Sequence, residues 1–206
     1  MDLLMRLHGE AQAAGGRLHV VLGNHEAMNV LGDLRYVDPG EFTAYTDVES
    51  ATERANLRKA WEAAQGAGSG PAFDQRFPPG YFGHRAALSP KGTYGQWLLS
   101  LPVAIAINDT LFMHAGPSSV LRGMSLQELN LRYRTAVADY TGLLETLSRA
   151  NLLQEGDVVE KLQAAGVMTF TLGPPPVTHD HSAFMRRATE AAKRTYSHSV
   201  AVTKEC

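Results

Sequence analysis

The sequence predicts an α/β fold, and three observations carry that prediction. Apolar residues at helical spacing, Leu3, Leu4, Leu7 and Ala11, end at Gly15-Gly16 and lead into a short apolar run, Leu18 to Leu22, that stops on Gly23. Two further runs, Val103 to Ile107 and Thr110 to Met113, flank the turn residues Asn108-Asp109 and read as a hairpin. Leu126, Leu129, Tyr133, Val137, Tyr140, Leu144 and Leu147 step by three or four and mark a long helix, opened by the capping box Ser125 with Glu128.

Taken in order, the chain begins with helix, turn, buried strand and then a polar loop, Gly23-Asn24-His25-Glu26. Open α/β sheets place their chemistry just beyond the carboxyl ends of strands, which is where this loop falls. A second helix runs from about Val48 to Gln65. Gly66-Ala67-Gly68-Ser69-Gly70-Pro71 breaks it, and Pro78-Pro79-Gly80 breaks the chain again before Tyr81-Phe82, so this region reads as a long surface excursion. The second hairpin strand then runs directly into His114. Beyond the long helix, whose leucines and tyrosines read as core, Val158 to Ala165 continues as helix and Val167 to Leu172 as strand, until Gly173-Pro174-Pro175-Pro176 stops the pattern. With no repeat and no second boundary, residues 1–206 read as one domain.

Composition narrows the chemistry. A chain of 206 residues, 44% hydrophobic and 19% charged, has the makeup of one ordinary globular domain able to bury a core. Its formal net charge of -2 gives no broad attraction for nucleic acid or an anionic membrane surface, so neither is expected as a partner. The single cysteine, Cys206, excludes an internal disulfide and a thiolate zinc cluster, so a metal would be held by oxygen and imidazole. Met1 to Arg6 carries no export signal, no stretch is apolar for long enough to span a bilayer, and the compartment is left open.

Three residues have the right chemistry for such a site. Asn24 offers a neutral carbonyl oxygen to a hard cation, and His25 beside it offers an imidazole that carries a proton near neutral pH. Gly23 lets backbone approach closely. His114, at the end of the later strand, supplies a nitrogen ligand to the same ion if the two strands are neighbours. Read alone, Gly-Asn-His-Glu is also compatible with a capped turn, and His114 with a strand-end histidine bonded to backbone.

Gly23-Asn24-His25-Glu26 after an apolar strand, together with His114-Ala115-Gly116, resembles signatures of the calcineurin-like metallophosphoesterases, a superfamily that includes the phosphoprotein phosphatases. Ala27 to Val37, Pro79-Gly80-Tyr81-Phe82 through Gly95-Gln96-Trp97-Leu98-Leu99, and Asn108 to His114 are similar to the Shewanella-like protein phosphatase branch. The resemblance covers roughly residues 1–153, includes Asn130-Leu131-Arg132-Tyr133-Arg134, and fades over 154–206. It implies a β-sandwich flanked by helices, and a dinuclear site of manganese, iron or zinc in which a bridging water attacks phosphorus while a protonated histidine assists the leaving oxygen. By that analogy Asn24 and His114 are ligands of one metal, His25 is the general acid, and Glu26 orients its neighbours. The implied reaction is hydrolysis of a phosphomonoester, on phosphoprotein or on a small phosphate ester.

The departures set a second expectation. The family opens with Gly-Asp-x-His and Gly-Asp-x-x-Asp-Arg-Gly, which carry the other metal's ligands and the bridging aspartate, and neither motif occurs here. The domain therefore reads as incomplete, lacking its opening strands, with Met1 an internal start, the edge of a truncated reading frame or the start of a shortened product. The competing expectation is a catalytically incomplete fragment or pseudophosphatase serving as a binding module. Ala115 stands where the family has glycine, and no Gly-His pair follows a late strand; Thr178-His179-Asp180-His181 is the nearest region, and its histidines are read as solvated. His84 and Arg85 could face substrate or pack, and are left unassigned.

Overall fold

A computed structural model of the chain describes residues 1–117 and 121–149, and within them helices dominate. In order they are α1 (Asp2–Ala13), α2 (Asn24–Leu31), α3 (Pro39–Thr43), α4 (Ala51–Gln65), α5 (Gly70–Arg76), α6 (Tyr81–Leu88), α7 (Thr93–Ser100) and, after the hairpin, α8 (Leu126–Arg149). The sheet of the described residues has two strands, β1 (Ala104–Ile107) and β2 (Thr110–Met113), antiparallel from Ala104 opposite Met113 to Ile107 opposite Thr110. The predicted hairpin is present, with Asn108 at a φ of 53°, a conformation that asparagine tolerates at a tight turn. The predicted helix Val158 to Ala165, the predicted strand Val167 to Leu172 and the Thr178 to His181 region lie outside the described residues.

Two sequence expectations change outside the Gly23 to Glu26 segment. Leu18 to Leu22 forms no ladder among the described residues and is joined to the rest by one backbone bond, from Leu22 N–H to the Pro102 carbonyl at 2.9 Å. A strand needs a row of partners, and one bond anchors the segment without making it a sheet member. The expected surface excursion after Gly66 is instead structured. Gly66 does end α4, but Pro71, inside the first turn of α5, starts a new helix, because its fixed φ suits that position. Phe73 and Phe77 are then buried at 1% and 3% exposure with Phe42 and Tyr81, and Leu57, Trp61 and Phe82 pack around them.

Arg54 ties that aromatic cluster together. Its guanidinium donates to Asp74 Oδ1 at 3.1 Å and to the carbonyls of Phe77 at 2.6 Å and Pro78 at 3.2 Å, pairs with Glu49, and lies against the Phe73 and Phe82 rings. The Phe77 carbonyl lies at the end of α5, and the Pro78 carbonyl also accepts from Tyr81 N–H at 3.0 Å, at the start of α6.

A second core lies beneath the Gly23 to Glu26 segment. Leu22, Val30, Leu88, Leu98 and Leu101 form its centre, with Val20, Ala27, Trp97 and Tyr133 against it, so that α2 packs on α6, α7 and α8. Helix α8 starts as predicted, Ser125 Oγ accepting from Glu128 N–H at 3.1 Å, and buries Val137, Tyr140 and Leu143. In contrast, α1 forms where expected but buries none of its residues, and Leu3 and Leu4 are exposed. No described helix is long and apolar enough to cross a membrane.

Candidate functional site

Gly23-Asn24-His25-Glu26 is the start of a helix and not a loop. Gly23 is the extended N-cap of α2 (φ -94°, ψ 167°), and Asn24, His25 and Glu26 form the first turn. The first intrahelical bond runs from Ala27 N–H to the Gly23 carbonyl at 3.1 Å, so the amides before it have no helical acceptor and the positive end of the helix faces outward. At the other end, Gly32 takes a left-handed φ of 87°, with Gly32 N–H bonded to Asn29 O and Asp33 N–H to Met28 O, the paired bonds of a Schellman stop. Eight residues with a polar first turn are too few for a visible period, and for that reason the sequence reading missed α2.

The structure brings Asn24 and His114 together across 90 residues. His114 Nε2 stands 3.0 Å from Asn24 Oδ1, within hydrogen-bond distance when that nitrogen carries the proton. Both side chains are exposed. His114 also lies over Gly23, where an added Cβ would meet the Glu26 carboxylate and come within 3.3 Å of His114 Nδ1. The glycine thus leaves room that a side chain would take from the mobile end of Glu26 and, by a few tenths of an ångström, from His114, while its φ lies in a region open to any residue.

The hairpin that delivers His114 is fixed from below. Asn130 Oδ1 accepts from Val103 N–H at 2.8 Å and Ala104 N–H at 3.3 Å, while Asn130 Nδ2 donates to the Ala104 carbonyl at 2.9 Å. One amide thus holds the start of β1 against α8. The sequence reading quoted Asn130 only within a longer stretch, and the one signal that singles it out is a short amide amid an apolar helical period.

His25 is exposed and stacks on Tyr36, with ring centroids 5.2 Å apart and planes 11° from parallel. Arg85 and His84 turn inward. Arg85 Nη1 donates to the Asn29 carbonyl at 2.9 Å, and His84 is 1% exposed, edge-on to Phe42 and Tyr45. Burial, and then the neighbouring Arg85 charge, push the His84 imidazole from 6.5 down to about 4. Packing accounts for both residues.

The donor set was tested against a divalent ion. Adjacent ligands at about 2.1 Å from an octahedral ion stand about 3 Å apart, which matches the separation of Asn24 Oδ1 and His114 Nε2. These are two neutral donors, and the described residues contain no group of three or more histidine, cysteine, aspartate or glutamate side chains able to hold a metal. The pair fits part of one coordination sphere.

Comparison with known proteins is consistent with the motifs. Over 158 residues, 77% of this chain and 35% of the other, the sequence is 23% identical to Shewanella-like protein phosphatase 1 of Plasmodium berghei. Over 149 residues, 68% of this chain and 38% of the other, it is 29% identical to Shewanella-like protein phosphatase 2 of Arabidopsis thaliana. The chain is thus similar to Shewanella-like protein phosphatases. It spans little more than a third of the length of these two relatives. An uncharacterised protein of Schizosaccharomyces pombe is 51% identical over 41 residues, 20% of this chain and 12% of that protein. No protein-family model matches the chain, and no solved structure does.

Proposed function

We propose that this chain carries part of the site of a metal-dependent phosphatase, hydrolysing a phosphomonoester of a protein or a small molecule. Asn24 and His114 are ligands of one divalent ion, manganese, iron or zinc, and His25 donates the proton to the leaving oxygen. The observation that supports this most is the 3.0 Å approach of Asn24 Oδ1 and His114 Nε2, two metal-competent atoms 90 residues apart in the chain. A bound divalent ion would neutralise phosphoryl charge and make water more acidic. The chain's own residues supply the remaining functions. The N-terminal turn of α2 presents unbonded amides to an anionic group, and His25, within that turn and exposed, holds a proton where a leaving oxygen could take it. Glu26, whose carboxylate lies against Gly23 as the His114 ring does, orients its neighbours.

A second reading has an observation of its own. Because the described residues assemble no group of three acidic, histidine or cysteine ligands, the chain could retain the fold as a binding module without turnover. Phenyl phosphate hydrolysis with added manganese, measured for the unsubstituted chain, His25→Asn and His114→Ala, separates the two. The phosphatase reading expects manganese-dependent turnover that falls by about a hundred-fold or more in each variant. A folded chain without turnover, with or without manganese, would select the binding module.

A further inference from the structure

We infer that Tyr36 is a positioning residue for His25, and that the turn from Asp33 to Val37 is built to present it. The inference rests on His25 being the acid that serves the leaving oxygen. Tyr36 is 68% exposed, so burial of its ring does not explain where it sits. It nevertheless lies nearly parallel to the His25 imidazole, 5.2 Å between centroids.

The backbone that carries Tyr36 is held from both sides. The Schellman stop at Gly32 reverses the chain out of α2, and Val37 N–H bonds to the Leu34 carbonyl at 3.0 Å, leaving Arg35 and Tyr36 as the central residues of a turn. Asp33, only 6% exposed, accepts from Arg35 Nε at 2.8 Å, from Arg35 Nη2 at 2.7 Å and from Arg35 N–H at 3.3 Å. A two-pronged guanidinium contact on a buried carboxylate fixes orientation as well as distance. Leu34 and Val37, on either side, pack against the aromatic core. Two partly buried apolar residues and an ion pair on a buried carboxylate thus anchor a turn whose exposed ring meets the candidate acid. An imidazole on the first turn of a helix has free rotation about two bonds, and a flat neighbour parallel to its face removes much of it.

The test compares the unsubstituted chain with Tyr36→Phe and Tyr36→Ala on two substrates and one spectrum. Phenyl phosphate has a poor leaving group that needs a proton, whereas 4-nitrophenyl phosphate has a good one that needs little help. The spectrum is that of the His25 ring protons, identified by their loss in His25→Asn. For Tyr36→Ala we expect kcat on phenyl phosphate to fall about ten-fold with KM within about two-fold, a smaller fall on 4-nitrophenyl phosphate, and loss of an upfield displacement of the His25 signals. Tyr36→Phe, which keeps the ring, should retain all three properties. Unmoved His25 signals in Tyr36→Ala, or equal losses of kcat on both substrates, would overturn the inference while leaving the phosphatase reading intact. No turnover by the unsubstituted chain would overturn that reading and this inference with it.

Discussion

At the scale of single residues, the candidate site depends on what Gly23 lacks. The His114 imidazole and the Glu26 carboxylate both converge on the space that a methyl group there would occupy. Alanine at this position is acceptable to the backbone, since Gly23 has a φ of -94°, so the cost falls on the two side chains. We therefore expect Gly23→Ala to keep its helical circular dichroism and to lower unfolding free energy by about 1 to 2 kcal/mol. Any manganese-dependent turnover should fall by a few-fold, because His114 must give way by a few tenths of an ångström beside Asn24. Turnover and stability both equal to those of the unsubstituted chain would show that His114 does not need this approach. Asn130 acts one step further away, holding the strand whose end carries His114.

At the scale of elements, helix α6 holds the Asn24 to Leu31 helix in place through Arg85 and fills the space beside α3 with His84. A neutral imidazole suits that space and a charged one does not, since His84 Nδ1 has no hydrogen-bond partner among the described residues. The sign follows from linkage. The folded-state value near 4 lies below the ordinary 6.5, so between those values the unfolded chain binds the proton that the folded chain refuses. The stabilisation is complete above about pH 6.5 and is lost as pH falls towards 4, a change on the order of 3 kcal/mol. Urea midpoints measured from pH 7 to pH 4 should show that loss, and His84→Gln, of similar size and untitratable here, should show a markedly smaller one. Equal pH dependence in the two proteins would assign the loss to other groups. Arg54 performs a comparable task for α4 and α5, by bridging Asp74 and the carbonyls that follow α5.

At the scale of the whole molecule, the sequence reading recovered the elements with strong local signals. The hairpin was legible because Asn108-Asp109 separates two apolar runs, and α8 because seven apolar residues repeat at helical spacing behind a capping box. Helices α5, α6 and α7 were hidden, because glycine and proline between residues 66 and 80 suggested loop while burial of Phe73, Phe77 and Tyr81 is decided by tertiary packing. Leu18 to Leu22 misled in the opposite direction, since an apolar run indicates burial but not a partner to pair with. Asn24 and His114 were named from their chemistry, and only the fold shows that they meet; Tyr36 carried no signal that spacing could reveal, and Asn130 only that of a short amide within an apolar helical period.

The account's central claim is that Asn24 and His114 hold one divalent ion between them. The most direct test is a manganese titration of the folded chain, followed by the loss of the free-ion electron paramagnetic resonance signal, beside Asn24→Ala and His114→Ala. The account predicts binding by the unsubstituted chain that weakens by about ten-fold or more in each variant. Equal manganese binding in all three proteins, or none in any, would contradict it.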